Sequence, residues 1–412
     1  MLGVVLCQTP RHAFWYLWVA YFSLYLCRLN LSAALPAMLR AEGFTVAQGG
    51  WIGSGFFACY AIGQVVNGFS SDRFGPRRML ALGLLGSAVV NILFSFSQGI
   101  EWLVALWALN GFFQSMGWPA CVRAMADWFP LGKRGRLFGL FATSYHAGNI
   151  SALLLSGWIC ATIHWRHAFL IPSIPLFVVG LLFYLGFRNR PAEASSEGSQ
   201  EVVKRAAAPA PTDLRALFSW RLLLVGLSVS AMSVVGYGFL FWAPTYLAES
   251  RNLTAFGASK QSLFLPLAGA VSVAFSGWVT DVIFHSRRMP AIAIMSAVAA
   301  LLVFLFPRVP LAHTWQVVAY LSTVGLFAYG PHGLLVGVVA MDLVPREMSG
   351  RAAGILDAFG YLGAMVTGAG TGWLAQHHGW PAVFPVWAAS LLLCALLCAG
   401  NALSSRRSES GG

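Results

Sequence analysis

Gly68-Phe-Ser-Ser-Asp72-Arg73-Phe-Gly75-Pro-Arg77-Arg78 closes one apolar run and opens the next. A weaker copy, Gly277-Trp-Val-Thr-Asp281 followed by Arg287-Arg288, sits in the second half of the chain. The doubling extends further. Gly135-Arg136-Leu-Phe-Gly139 recurs as Gly350-Arg351-Ala-Ala-Gly354 at an offset of 215, and Trp165 and Trp380 share that offset. Weak internal symmetry of this length in an apolar chain is the mark of two repeats that enclose a site between them at mid-membrane.

Composition places those repeats in a bilayer. The 412 residues are 58% hydrophobic and only 10% charged, with mean hydropathy +0.70, against roughly 25% charged in soluble domains. Twelve apolar segments of spanning length follow one another, at about 13–39, 50–70, 79–98, 101–126, 136–161, 166–187, 221–248, 260–283, 289–307, 314–340, 351–376 and 380–403. The expected fold is an all-α membrane protein, twelve transmembrane helices in two pseudo-symmetric six-helix bundles. Its parts are a tail at 1–12, a bundle at 13–187, a linker at 188–220, a second bundle at 221–403 and a tail at 404–412. The linker is rich in Ala, Pro, Ser and charge, the composition of a flexible connection.

The net charge of +12 does not point to nucleic acid, because the basic residues lie in short loops between apolar runs. With the amino terminus inside, nineteen Lys and Arg fall on the inner side and five on the outer. That asymmetry predicts a multi-pass protein of the plasma membrane or bacterial inner membrane with both termini cytoplasmic. Met1 to Pro10 is too short for a cleaved signal, so the first helix is expected to be retained. The seven cysteines lie mostly inside apolar runs and form no metal-ligand pattern. No cofactor is expected, and no nucleophile–base pair marks an enzyme.

Within the first segment, Tyr21-Phe-Ser-Leu-Tyr-Leu-Cys-Arg28-Leu-Asn30 places an arginine near the bilayer centre. A guanidinium there costs about 2.5–3.5 kcal/mol on insertion scales and cannot deprotonate to escape the cost. Arg28 therefore has to face a polar cavity, and its planar fork suits phosphate or carboxylate.

The Gly68–Arg78 motif and its copy resemble the loop signature of the major facilitator superfamily. In this loop Asp72 can cap helix ends. Arg73, Arg77 and Arg78 hold the inner loop, and with Asp281 they are the expected gating residues. Further stretches resemble the organophosphate:phosphate antiporter family within it. These are Arg28-Leu-Asn30 with Ala34-Leu-Pro36, and Asn110-Gly-Phe-Phe-Gln114-Ser-Met-Gly117-Trp118-Pro119-Ala-Cys121. They continue with Tyr145-His146-Ala-Gly148, Trp242-Ala-Pro244-Thr-Tyr246-Leu, Tyr329-Gly-Pro331 and Phe359-Gly-Tyr361-Leu-Gly363. The resemblance implies that Arg28 binds phosphate. Two departures stand against a full carry-over. The position of the glycerol-3-phosphate transporter's second arginine is Gly236 here, and that of a helix-two lysine is Gln64. A monoanion, a carboxylate, or a phosphate held by one arginine plus His146 all remain open.

The expected substrate-binding set is Arg28, His146, Tyr361, Gln64, Tyr25, Tyr60, Tyr145, Tyr237 and His332. Tyr361 stands in the second repeat where His146 stands in the first. Asp357 is the coupling candidate: it can pair with Arg28 in the empty site, carry a proton, hold a cationic group of the substrate, or reach Arg351 at the interface. Arg123 and Asp127, four apart, can pair on one helix face. The expected function is secondary active transport of a small organic anion, organophosphate or carboxylate, by alternating access. Inorganic phosphate or protons are the coupling species, and the protein is expected to work as a monomer in the lipid bilayer. The alternative is a transporter-like sensor of a phosphorylated metabolite acting through a partner kinase.

Overall fold

The computed structural model describes residues 9–129, 131–189, 219–285, 287–339, 343 and 349–410. Among these residues every regular element is helical: fifteen α-helices and one π-helical turn. The first span is α1 (Pro10–Leu26) with α2 (Asn30–Glu42), followed by α3 (Val46–Phe74) and α4 (Pro76–Phe96). The fourth is α5 (Ile100–Gln114) with α6 (Gly117–Trp128); α7 (Leu131–Thr162) and α8 (His167–Gly186) complete the first half. The second half holds α9 (Trp220–Ser250), α10 (Ala255–Ser262) with α11 (Phe264–Val282), and α12 (Arg288–Leu305). It continues with α13 (Thr314–Gly333) running into the π turn Leu334–Val339, then α14 (Ser349–His378) and α15 (Trp380–Ser410). The expected linker falls mostly at 190–218, outside the described residues.

Three spans expected as continuous, at 13–39, 101–126 and 260–283, are each two helices. Two of the breaks follow from proline. Pro119 and Pro266 have no N–H for the carbonyls four residues back, at Ser115 and Ser262, and their rings crowd those carbonyls. The chain therefore breaks between Gln114 and Gly117 and between Ser262 and Phe264. The break at 27–29 has no proline and is built from side chains.

Packing repeats across the halves. In the first, α1 and α2 lie on α7, α3 on α5, and α4 on α8; in the second, α9 lies on α14, α11 on α13, and α12 on α15. Each pairing is thus matched six spans later. The spans α4, α8, α12 and α15 are more apolar than the first span and α9, and α8, α12 and α15 are also the least buried of these. The inner spans carry the polar residues, which lowers their hydropathy.

The halves meet along α3 with α14, α7 with α10 and α11, and α2 with α9. The α3–α14 contact is tightest at one end. A Cβ on Gly368 would stand 2.9 Å from the Gly50 carbonyl oxygen and 2.7 Å from the Ser54 nitrogen. Only glycine permits that approach. Ser54 Oγ donates to the Met365 carbonyl at 2.5 Å and accepts from the Ala369 N–H at 2.7 Å. Ser32 Oγ lies 2.8 and 3.0 Å from the carbonyls of Leu240 and Phe241. Towards the end that carries the termini, α3 and α14 splay apart. Among the described residues their last hydrogen bond is Gln64 Nε2 to Asp357 Oδ2, 3.2 Å. One turn beyond, Gly68 and Gly354 meet nothing within 4 Å, as do Gly139 and Gly277 on the other interface helices. A buried apolar cluster crosses both halves on the closed side, whereas the cluster at the terminal end contains residues of the first half alone. The molecule is closed at one end and open at the end of its termini.

Candidate functional site

Arg28 lies in the break of the first span. The backbone tightens there, with Cys27 N–H bonded to the Leu24 carbonyl and Arg28 N–H to the Tyr25 carbonyl, both at 3.2 Å. Polar side chains of α5 take up the displaced carbonyls. Asn110 Nδ2 donates to Cys27 O at 3.0 Å, and Gln114 Nε2 to Leu24 O at 2.9 Å. Asn110 and Gln114 are four apart and so share a face. Behind them, Ser87 Oγ donates to Asn110 Oδ1 at 2.7 Å, and Asn30 Nδ2 to Asn91 Oδ1 at 2.9 Å. All five of these side chains are wholly buried. A satisfied buried network of this kind holds a unique geometry.

The network aims the guanidinium. Arg28 Nε donates to Gln114 Oε1 at 3.3 Å, Nη1 to the Tyr25 hydroxyl at 3.1 Å and Nη2 to the Tyr60 hydroxyl at 3.1 Å. Its Cζ stands over the rings of Tyr25 and Tyr60 at 4.3 and 4.7 Å. Every one of these partners is neutral. Among the described residues no carboxylate forms an ion pair with Arg28. On the closed side a cavity of about 30 Å³ beside Arg28 is walled by Phe56, Phe57, Trp107, Tyr237 and Phe241. That volume is too small for an organic anion.

The second half adds its own polar groups. Tyr361 stacks on Tyr60 across the halves, ring centroids 4.2 Å apart, and Tyr237 lies 5.4 Å from Tyr361. His332 Nε2 is 3.3 Å from Ser233 Oγ. Tyr329 donates to the carbonyl of Gly236 at 2.9 Å, and a Cβ on Gly236 would meet nothing within 4 Å. The position is open space. Tyr145 packs on Tyr25 at 5.8 Å and on His146 at 3.9 Å.

The structure thus gathers Arg28, Tyr25, Tyr60, Tyr237 and Tyr361 directly, with Tyr145 and His146 behind Tyr25. His332 lies with Ser233 against Gly360, the neighbour of Tyr361 in the chain. Asp357 is bonded to Gln64, not to Arg28; the side chain of Arg351 lies outside the described residues, as does that of Asp72. Arg123 pairs with Asp127 at 3.1 Å. Arg77 is tied within its own half, its Nε donating to the Tyr184 carbonyl at 2.6 Å and its N–H to Asn189 Oδ1 at 2.9 Å. Arg78 is exposed on the same surface, Arg73 lies over Phe74, and Asp281 is exposed at the open end of α11. The described cysteines are free thiols.

Asn110 and Gln114 lie outside the expected site set, although amides spaced i, i+4 in an apolar run are a signal of a shared polar face.

The model of the Major Facilitator Superfamily matches residues 17–368. The chain belongs to that superfamily. It is 29% identical to the glycerol-3-phosphate transporter of Bacillus subtilis, over 95% of this chain and 92% of that protein. It is 27% identical to the membrane sensor protein UhpC of Salmonella typhimurium, over 94% of this chain and 90% of the relative. A solved structure, a bacterial homolog of the human lysosomal transporter Spinster, superposes with a TM-score of 0.78 at 15% identity. That alignment covers 96% of this chain and 97% of the other; at that identity the likeness is one of fold. The major facilitator architecture accounts for the matched pairings of the two halves.

Proposed function

We propose that this chain is a secondary active transporter that moves a small organic anion, an organophosphate in first place and a carboxylate in second, across a bacterial inner membrane by alternating access. The observation that carries the reading is a mid-membrane guanidinium oriented by a buried amide network and bonded only to neutral groups. An intramembrane charge without a counterion is costly, and an anion that accepts from its fork offsets that cost. The likeness to a glycerol-3-phosphate transporter supports phosphorus as the anionic centre. The two halves rock about the site: an anion on Arg28 accepts from its fork and lets the open end close.

The reading places both termini in the cytoplasm, so the open end faces inward. It treats 13–187 and 221–403 as the two moving bodies joined by 188–220. Coupling is to inorganic phosphate in exchange or to protons in symport.

The deciding experiment is exchange of radiolabelled inorganic phosphate in proteoliposomes. Wild-type protein exchanges phosphate, and Arg28→Ala reduces exchange at least a hundredfold while remaining folded. Absence of exchange and of organophosphate uptake in folded wild-type protein would favour the sensor reading, which the likeness to UhpC supports. In that role the same site binds a phosphorylated metabolite and signals to a partner kinase without flux.

A further inference from the structure

Arg28 has an opposite number. Among the described residues Asp357 is the one acid at the level of the site. The other described acids lie near the ends of the spans, as Glu42 does with Arg166 and Asp127 with Arg123. Asp357 is half-buried, and its one described hydrogen bond comes from the Gln64 amide. A neutral amide leaves its charge unbalanced. It lies within electrostatic reach of Arg28, Tyr60, Tyr237 and Tyr361, yet it forms no ion pair with Arg28. The site therefore holds a guanidinium and a carboxyl group that are not paired with each other.

The separation follows from the helices. Arg28 is bonded to Tyr60, and Asp357 to Gln64, four residues further along α3. On α14, Tyr361 stacks on Tyr60 and lies four residues beyond Asp357. On each helix the residues that meet the two groups are thus one turn apart, about 6 Å along the axis. Tyr60, Tyr361 and Tyr237 pack on one another beside these groups. Tyrosine faces attract ammonium groups, and desolvation strengthens the attraction.

A site for a simple anion gains nothing from Asp357, whose charge repels the ligand. A ligand that is itself a dipole satisfies both poles. We infer that the transported species is a zwitterion: an aminoalkyl phosphate or phosphonate whose anionic head lies on Arg28 and whose ammonium lies against Asp357 and the ring of Tyr361. The inference rests on Arg28 as the anion ligand. It also gives a reason for Gly236 and Gln64: with no second cation in the site, the substrate's own ammonium has no competitor for Asp357.

The test compares two ligands of equal size, phosphoethanolamine and 2-hydroxyethyl phosphate, as competitors of radiolabelled phosphate binding to the full chain in nanodiscs. Phosphoethanolamine should compete at least tenfold better. In Asp357→Asn that ratio should collapse towards one, and in Asp357→Glu, which keeps the charge, most of it should return. Equal competition in wild-type protein overturns the zwitterion while leaving Arg28 as the anion ligand. A ratio unchanged in Asp357→Asn also overturns it, and if uptake of both compounds into proteoliposomes then loses its dependence on a proton gradient, the carboxylate is assigned to proton transfer. Failure of phosphate itself to bind folded wild-type protein removes the Arg28 reading and the inference together.

Discussion

Arg28 is held on three sides by groups that take its hydrogen bonds but none of its charge. Tyr25, Tyr60 and Gln114 fix the plane of the guanidinium, so little orientation has to be lost when an anion arrives. Lysine at this position keeps the charge and loses the plane, the fork and the simultaneous bonds to both tyrosines. Hydrogen bonds between charged groups are worth about 1.5–3 kcal/mol each. Arg28→Lys should therefore weaken phosphate binding by at least about tenfold, read by displacement of radiolabelled phosphate from purified protein. Undiminished affinity in the lysine variant would remove Arg28 from the site. The arginine was legible in the sequence because its cost in a bilayer is so large. Asn110 and Gln114 were not assigned, because their role exists only once the backbone has broken at 27–29 and offered them carbonyls. No glycine or proline within that break announces it.

At the scale of helices, the α3–α14 contact acts as a clamp with a graded grip. It is closest at Gly50 and Gly368, passes through Ser54, Tyr60 and Tyr361, and ends at Gln64 and Asp357. The site residues are the inner rungs of the same contact, so a ligand that touches Arg28 and Asp357 touches the place where the helices part. A side chain at position 368 has nowhere to go, since its Cβ alone would stand 2.7 Å from the Ser54 nitrogen. Overpacking of this kind costs about 1–3 kcal/mol. Gly368→Val should place that cost on the closed end, shifting the protein by about 5- to 150-fold towards the alternate state. The expected readouts are a lower exchange rate and faster labelling of an Ala47→Cys thiol by a membrane-impermeant reagent from the closed side. Labelling and flux both at wild-type rates would show that the clamp does not control the state. The proline breaks at 119 and 266 follow from the rule for missing amides. The reciprocal glycines 318 positions apart carry no local signal and become meaningful only when two antiparallel helices are seen to cross there.

The two-repeat plan was readable over the whole molecule, because the doubled motif and the doubled tryptophans survive in the sequence. Which end is open was not, since a rocking protein encodes both states in one chain and the balance is set by small differences in contact. The splayed end nevertheless records the other state. Gly68 and Gly354 lie one turn beyond Gln64 and Asp357 on facing helices, and each now faces empty space. Small residues at matched positions of α3 and α14 are what a second close approach requires, the counterpart of Gly50 and Gly368 at the other end. When the halves rock, these two should meet. A disulfide needs Cα atoms within about 7 Å, so Gly68→Cys with Gly354→Cys should cross-link only in the state whose terminal end is closed. With the native cysteines replaced, oxidation should trap the pair slowly, stop phosphate exchange completely and release it on reduction. Adding Gly368→Val should speed the cross-link severalfold, because it disfavours the present closed end. Rapid, complete cross-linking in the otherwise unaltered protein would mean that the terminal end is closed at rest. Cross-linking that leaves exchange intact would mean that α3 and α14 do not separate in the transport cycle.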